Sequence, residues 1–98
     1  MEQDAIRSIE IDETGRLHVV PSSRVFPYIY REAMEVHWDE QRKSLYSPPP
    51  REWSYTRWFQ QIVSAARQQG CSLLLTPNTT WRGVSNDLQH QFAEAISH

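Results

Sequence analysis

The sequence predicts an α+β protein, in which an antiparallel or mixed sheet of about five short strands carries two helices packed on one face. Two pairs of short β-type segments are each joined by a polar turn, which is the pattern of two hairpins. An amphipathic segment between proline and glycine predicts a helix, and an almost continuous apolar run follows it as a further strand. With 98 residues, the whole chain, 1–98, is expected to form a single domain with its own core.

The first hairpin is predicted at residues 6–11 and 16–20, IRSIEI and RLHVV, which the turn DETG joins. Gly15 in that turn tolerates a positive φ, and Pro21 ends the second strand. Residues 21–33 are expected to form a loop with a helical turn. An extended segment, in which Tyr28 and Tyr30 alternate with Ile29, is the alternative.

The second hairpin is predicted at residues 34–38 and 44–47, MEVHW and SLYS, around the polar turn DEQRK. In the first of these strands the apolar residues should share one face and the polar residues the other. The apolar set is Met34, Val36 and Trp38, against Glu35 and His37.

The main helix is predicted to begin at Glu52 or Tyr55 and to end at Gln69. The prolines at 48–50 stop the preceding segment, because each fixes φ and lacks a donor N–H, and Gly70 suits the position after the helix end. The apolar stripe of this helix is Tyr55, Phe59, Ile62, Val63 and Ala66, and its opposite face is polar.

The run CSLLLT at 71–76 predicts a central strand buried on both faces, and NTTWRGVS at 78–85 predicts a loop. Ser54 and Ser85 are the expected N-caps of the two helices. Asp87 should favour the dipole of the last helix. The core face of that helix is Leu88, Phe92 and Ala95 or Ile96.

Composition excludes several classes of function. The net charge is −2 with a single lysine, so nucleic acid is not an expected partner. No stretch approaches the roughly 18–20 apolar residues of a membrane span. The acidic start MEQDAIRSIEI lacks the basic and apolar regions of a signal peptide, and the single cysteine, Cys71, cannot form an internal disulfide. The expected location is therefore the cytoplasm.

Polar and aromatic residues at the two turns beside the main helix form the candidate binding site. Residues 51–53 precede the helix and residues 78–82 follow the next strand, and a helix and a returning strand bring those two positions to the same end. Tryptophan and arginine are enriched where binding energy concentrates. The predicted binding residues are Arg51, Glu52, Trp53, Asn78, Thr79, Thr80, Trp81 and Arg82. The alternative is that the two tryptophans only pin the helix ends to the core, with the arginines in solvent.

Catalytic and metal sites find little support. On an extended segment Glu35, His37 and Asp39 would face the same way, as a general acid–base row or a cation site could require, although a solvated strand face explains the same alternation. Cys71 opens an apolar strand, where thiols are packing residues. The histidines are scattered and no phosphate-binding loop is present. We therefore expect no enzyme activity, no cofactor and no metal.

Three segments, YIYREAMEVHWD, LYSPPPREWSYTRWFQQI and LTPNTTW, resemble small bacterial proteins carried on integron gene cassettes and similar mobile elements. The resemblance spans residues 28–81. Because such proteins share no activity, it implies no catalytic residue. It implies a compact accessory protein, as a dimer or as an immunity-type binder of another protein.

The leading functional hypothesis is a non-enzymatic protein-interaction domain whose partner is another protein or a second copy of the chain. The alternative is a small-molecule-binding domain with a pocket near Trp53 and Trp81. An acid–base enzyme that uses the residue 35–39 segment is a distant third.

Overall fold

A mixed sheet of six strands and two helices form the fold, as seen in a computed structural model that describes residues 2–96. The predicted α+β class is confirmed. A short 3₁₀ turn at Ile29–Arg31 lies in the loop where a helical turn was expected. The elements are β1 (Glu2–Ile11), β2 (Leu17–Pro21), β3 (His37–Asp39), β4 (Ser44–Tyr46), α1 (Tyr55–Gln68), β5 (Cys71–Leu74), β6 (Thr80–Arg82) and α2 (Asn86–Ala95).

The long first strand, β1, organises the sheet, whose order is β3-β4-β2-β1-β5 with β6 also paired to β1. β1 pairs antiparallel with β2 and, on its other side, parallel with β5 and then with β6. Its ten residues allow this double pairing. Helix α1 packs on β5 and β2, and α2 packs beside α1.

The prediction that residues 71–76 form a central strand buried on both faces is wrong. β5 lies at the end of the strand order and, among the described strands, pairs with β1 alone. Its burial alternates, so that Cys71 and Leu73 are buried while Leu74 is 37% exposed. The reason is that α1 covers one face of β5, whereas the other face is more open.

The second hairpin is shorter than predicted, because the chain turns sharply before β3. Glu35 has φ +68°, in the left-handed region that interrupts an extended strand. Val36 is buried whereas Met34 is 87% exposed. The expected alternation of Met34, Val36 and Trp38 on one face is therefore wrong at Met34.

The segment predicted as a loop after β5 contains a further strand, β6. Thr79 is buried and its hydroxyl donates to the carbonyl of Ile6 at 2.7 Å, while the Thr76 N–H donates to that hydroxyl at 3.0 Å. These two hydrogen bonds fix the turn between β5 and β6 against β1. The chain then rejoins β1, where Thr80 lies beside Ser8 and Trp81 beside Ile9.

Both helices begin where the sequence predicts. Ser54 accepts from the Arg57 N–H and Ser85 from the Leu88 N–H, each at 3.2 Å. Gly70 has φ +90° and its N–H donates to the Arg67 carbonyl at 2.9 Å, which closes α1 as a C′ glycine does.

Two glycines allow a matched test of backbone crowding. Gly83 has φ +67°, and a Cβ there would lie 2.6 Å from the Ile11 carbonyl oxygen, whereas a Cβ on Gly70 meets nothing within 4 Å. We expect Gly70→Ala to cost about 1 kcal/mol for the left-handed backbone alone. Gly83→Ala should cost roughly 2 kcal/mol because the clash with backbone adds to that term. Urea denaturation followed by circular dichroism measures both, and equal losses would contradict the crowding at Gly83.

Candidate functional site

An open groove of about 550 Å³ lies between the corner before β3, the proline segment and the first half of α1. Its volume falls within the roughly 300–1,000 Å³ of typical ligand sites. Three of the predicted binding residues, Arg51, Glu52 and Trp53, line it. The full lining set is Met34, Glu35, Pro48, Pro49, Arg51, Glu52, Trp53, Trp58 and Gln61.

Two tryptophans provide the aromatic surface of the groove. Their rings lie 4.8 Å apart at 48°. Trp53 is placed by the Ser54 cap that follows it, and Trp58 by its position one turn into α1. The Arg57 guanidinium lies over the Trp53 ring, 4.4 Å from its centroid, a cation–π contact that adds to the order of this indole.

Trp58 carries an unpaired hydrogen-bond donor. Its side chain is 7% exposed, and its indole Nε1 is buried without a hydrogen-bond partner among residues 2–96. A buried N–H left unsatisfied costs roughly 1–3 kcal/mol. The sequence pattern had not placed Trp58 on the buried stripe of α1.

The predicted residues of the second turn lie elsewhere. Thr80, Trp81 and Arg82 form β6, and Asn78 lies in the corner before it. Trp81 packs on Phe92 of α2 with ring centroids 6.1 Å apart. None of residues 78–82 is among those that line the groove.

Helix α1 separates the two tryptophan corners. Successive helical residues are about 100° apart, so Trp58 and Gln61, which line the groove, point away from Thr56 and Phe59. The latter two contact α2, through a Thr56–Gln91 hydrogen bond of 2.9 Å and a Phe59–Phe92 stack of 4.4 Å. The corners therefore lie on opposite flanks of one helix. A binding role for the residue 78–82 group stays a prediction.

The acid–base row does not form as the extended segment would require. Glu35 lies outside β3 with a left-handed backbone and lines the groove. The His37 ring packs on Tyr46 at 5.4 Å. The Asp39 carboxylate accepts from the backbone N–H groups of residues 41 and 42 at 3.0 and 3.1 Å, which is the ordinary role of aspartate in a turn.

A polar trio that the sequence pattern did not reveal lies on the sheet face away from the buried Val19. Asp12 Oδ2 accepts from His18 Nε2 at 2.8 Å, and His18 Nδ1 lies 2.9 Å from the Ser44 hydroxyl. This order of groups is that of a hydrolase triad. Ser44, however, is fully buried, so its oxygen does not face a substrate, and the trio ties the β1–β2 turn to β4.

The Asp12 carboxylate is strongly stabilised in its charged form. Partial burial alone would raise the pKa of Asp12. Hydrogen bonds from the Thr14 hydroxyl, from His18 and from the Arg16 and Thr14 backbone N–H groups outweigh burial and hold that pKa well below its usual range.

Nucleophilic and metal chemistry gain no support from the described residues. Cys71 is fully buried, and burial raises the pKa of its thiol, which disfavours the reactive thiolate. Between residues 2 and 96 no group of three His, Cys, Asp or Glu side chains could hold a metal ion. In the same range no helix is long and apolar enough to cross a membrane.

The fold and the groove define a small α+β protein with an open, tryptophan-lined groove beside its first helix. Residues 4–79 match the family described as Integron Cassette Protein Hfx_Cass5, and the chain belongs to this family. The resemblance noted in the sequence is thereby confirmed.

A solved structure supports the same assignment. This structure is that of the integron cassette protein Hfx_Cass5 from the mobile metagenome of the North West Arm sewage outfall. The sequence of that protein is 54% identical to this chain. The match covers 100% of this chain and 99% of that one, with a TM-score of 0.51. Comparison with the curated proteins gives no match.

Proposed function

We propose that this protein is a non-enzymatic binding protein that takes a segment of a protein partner into the groove beside α1. The observation that carries this proposal is an open groove of about 550 Å³ that is lined by two tryptophans and two prolines. An apolar side chain of the partner would fill the groove and pack against the two indole rings.

The shape and surroundings of the groove favour a protein segment as the ligand. The groove is open to solvent, and Met34, which lines it, is 87% exposed. Met, Trp and Arg side chains are enriched at protein interfaces. Arg51 and Glu52 add charged groups to the rim, which is the usual arrangement of an apolar centre with a polar border.

A small molecule is the second candidate ligand. The groove volume of about 550 Å³ and its lining of aromatic, proline and charged residues also suit a small ligand. In that case a metabolite, and no peptide, would raise the melting temperature of the wild-type protein, and Trp53→Ala would abolish the shift.

Selection from a random peptide library displayed on phage tests the proposal. We expect enriched peptides to bind the wild-type protein and to lose at least about tenfold in affinity to Trp53→Ala, since truncation of a central interface tryptophan commonly costs more than 1.4 kcal/mol. Trp81→Ala is the matched control, because Trp81 is also partly buried against the core but lies across α1. Affinities are measured by fluorescence anisotropy of labelled peptides.

A further variant, at an exposed residue of the groove, separates an effect on peptide binding from an effect on folding. Met34→Glu changes a side chain that is 87% exposed and should weaken the same peptides without lowering the melting temperature. If the selected peptides bind Trp53→Ala, Trp81→Ala and Met34→Glu equally well, the proposed interaction at the groove is overturned. It is also overturned if selection enriches no peptide.

A further inference from the structure

Exposed apolar side chains are concentrated in one short segment of the chain. Among the described residues most large apolar side chains that reach the surface lie between positions 25 and 34. They are Val25, Tyr28, Tyr30 and Met34, with Leu74 elsewhere. Apolar residues scattered singly over a surface need no explanation, whereas a cluster of them marks an interaction site.

A short turn holds two of these residues, Tyr28 and Tyr30, away from the core. Between them Ile29 is fully buried, and its N–H donates to the carbonyl of the buried Phe26 at 3.2 Å. Residues three apart lie on the same side of a 3₁₀ turn. Burial of Phe26 and Ile29 therefore turns both tyrosines outward, and they are 53% and 57% exposed.

Tyr28, Tyr30 and Arg31 form one continuous surface, the tyrosine patch. The two tyrosine rings meet edge to face, with their centroids 6.5 Å apart and their planes inclined at 62°. The Arg31 guanidinium lies over the Tyr28 ring, 4.8 Å from its centroid. None of the three is among the residues that line the groove beside α1, so the patch is a separate feature of the surface.

Arg31 leaves a positive charge at the tyrosine patch. Its guanidinium forms no salt bridge with any of residues 2–96. The carboxylate of the next residue, Glu32, accepts from the side-chain amide of Gln69 at 2.7 Å. An arginine stacked on an aromatic ring keeps its planar fork of N–H donors available to a carboxylate. The patch therefore favours a partner with negative charge.

We propose that the tyrosine patch docks an acidic, proline-rich segment of another protein. Prolines of that segment pack on the rings of Tyr28 and Tyr30, and an aspartate or glutamate beside them pairs with Arg31. This inference does not rest on the proposed function, because the patch and the groove share no residue.

The spacing of the two rings fits a segment in the polyproline II conformation. Such a segment rises about 3.1 Å per residue, so residues two apart are roughly 6.2 Å apart along its axis. That distance is close to the 6.5 Å between the tyrosine centroids. The segment has no internal hydrogen bonds, which leaves its carbonyl groups able to accept from the tyrosine hydroxyls. Because it is extended before it binds, it loses little conformational entropy when it docks on an aromatic surface.

The charge of the chain disfavours nucleic acid as the occupant of the patch. Bases also stack on tyrosine rings, but a single strand binds through several cations along its phosphate backbone. The patch supplies one cation, and the whole chain has a net charge of −2 with a single lysine. An acidic peptide needs only the one ion pair at Arg31.

Selection from a phage-displayed library with a fixed Pro-x-x-Pro frame and random flanking residues tests this docking site. Peptides enriched on the wild-type protein should carry more Asp and Glu than Lys and Arg in their flanks. Their affinity, measured by fluorescence anisotropy, should fall at least about tenfold in Tyr28→Ala. Leu74→Ala is the matched control, at an exposed apolar residue outside the patch, and should leave the affinity unchanged.

Reversal of the charge at Arg31 gives the decisive arm. Arg31→Glu should weaken binding of the acidic peptides at least about tenfold, and selection on this variant should enrich basic flanks instead. Arg67→Glu changes an exposed arginine of α1 and should keep the preference of the wild type. If both charge reversals weaken binding equally, the net charge of the protein explains the preference and the docking site is overturned.

The remaining outcomes separate this docking site from other occupants and from the groove. The docking site is overturned if selection enriches no peptide, or if a labelled oligothymidine binds through Tyr28 while no enriched peptide does. It is also overturned if sedimentation velocity shows that Tyr30→Ala weakens self-association and peptide binding is unchanged. Peptides that lose affinity in Trp53→Ala and keep it in Tyr28→Ala bind the groove, which supports the proposed function and overturns this inference.

Discussion

Replacement of Phe92 by alanine is expected to destabilise the protein by about 3–5 kcal/mol, the usual cost of truncating a fully buried phenylalanine. Phe92 is the buried residue of α2. Its ring stacks on Phe59 at 4.4 Å and 8° and contacts Trp81 at 6.1 Å. The cavity left by the substitution would remove the contact that holds α2 to α1.

The measurement is the free energy of unfolding from urea denaturation, followed by circular dichroism. Gln91→Ala is the neighbouring control. It deletes an exposed hydrogen bond to Thr56 and should change stability by no more than about 1 kcal/mol. A loss of similar size in both variants would contradict the packing of α2 through Phe92. Because the groove lies across α1, a folded Phe92→Ala protein should keep its groove-dependent binding.

Replacement of Asp12 by alanine is expected to cost about 3 kcal/mol, because hydrogen bonds to a charged group contribute roughly 1.5–3 kcal/mol and buried partners are left unsatisfied. Asp12 accepts from the Thr14 hydroxyl, from the backbone N–H groups of Thr14 and Arg16, and from His18. Glu13→Ala, at an exposed neighbouring carboxylate, is the control and should stay within about 0.5 kcal/mol of wild type.

Acid titration provides the specific readout for Asp12. The pKa of this carboxyl is lower in the folded protein than in the unfolded chain, where it is near 3.9. Its contribution is therefore fully present above about pH 4 and is lost as the pH falls through the folded value. Thermal denaturation between neutral and strongly acid pH should show a smaller acid-dependent loss in Asp12→Asn than in wild type. If wild type and Asp12→Asn lost the same stability at acid pH, the acid-sensitive group would be a residue other than Asp12.

Features set by neighbouring residues could be predicted. Ser54, Ser85 and Gly70 mark helix ends because a hydroxyl cap and a left-handed glycine act within a few residues of their own position. The DETG turn between β1 and β2 follows from the same local chemistry. Three residues that line the groove, Arg51, Glu52 and Trp53, could be selected from the sequence through their place between the prolines and the helix cap.

Features that depend on distant contacts could not be predicted. The CSLLLT run has the composition of an enclosed strand, yet β5 lies at a sheet edge because β1 is long enough to take the centre. Trp58 was not placed on the buried stripe, because part of its surroundings comes from the proline segment and the corner at Met34, which line the same groove. The bonding of His18 to Asp12 and Ser44 joins positions up to 26 residues apart, and no sequence period connects them.

The amino-acid order alone determined the α+β class, the starts of the two helices, the end of the first, and the presence of an aromatic, charged segment before it. These properties follow from hydrophobic periodicity and from backbone preferences, which act over a few residues. Only the tertiary structure decided which strand is central, that α1 divides the two tryptophan corners, and that Met34 projects beside an indole without a hydrogen-bond partner. Those outcomes depend on strand pairing and burial between residues far apart in the chain, where the free energy of packing outweighs local preference.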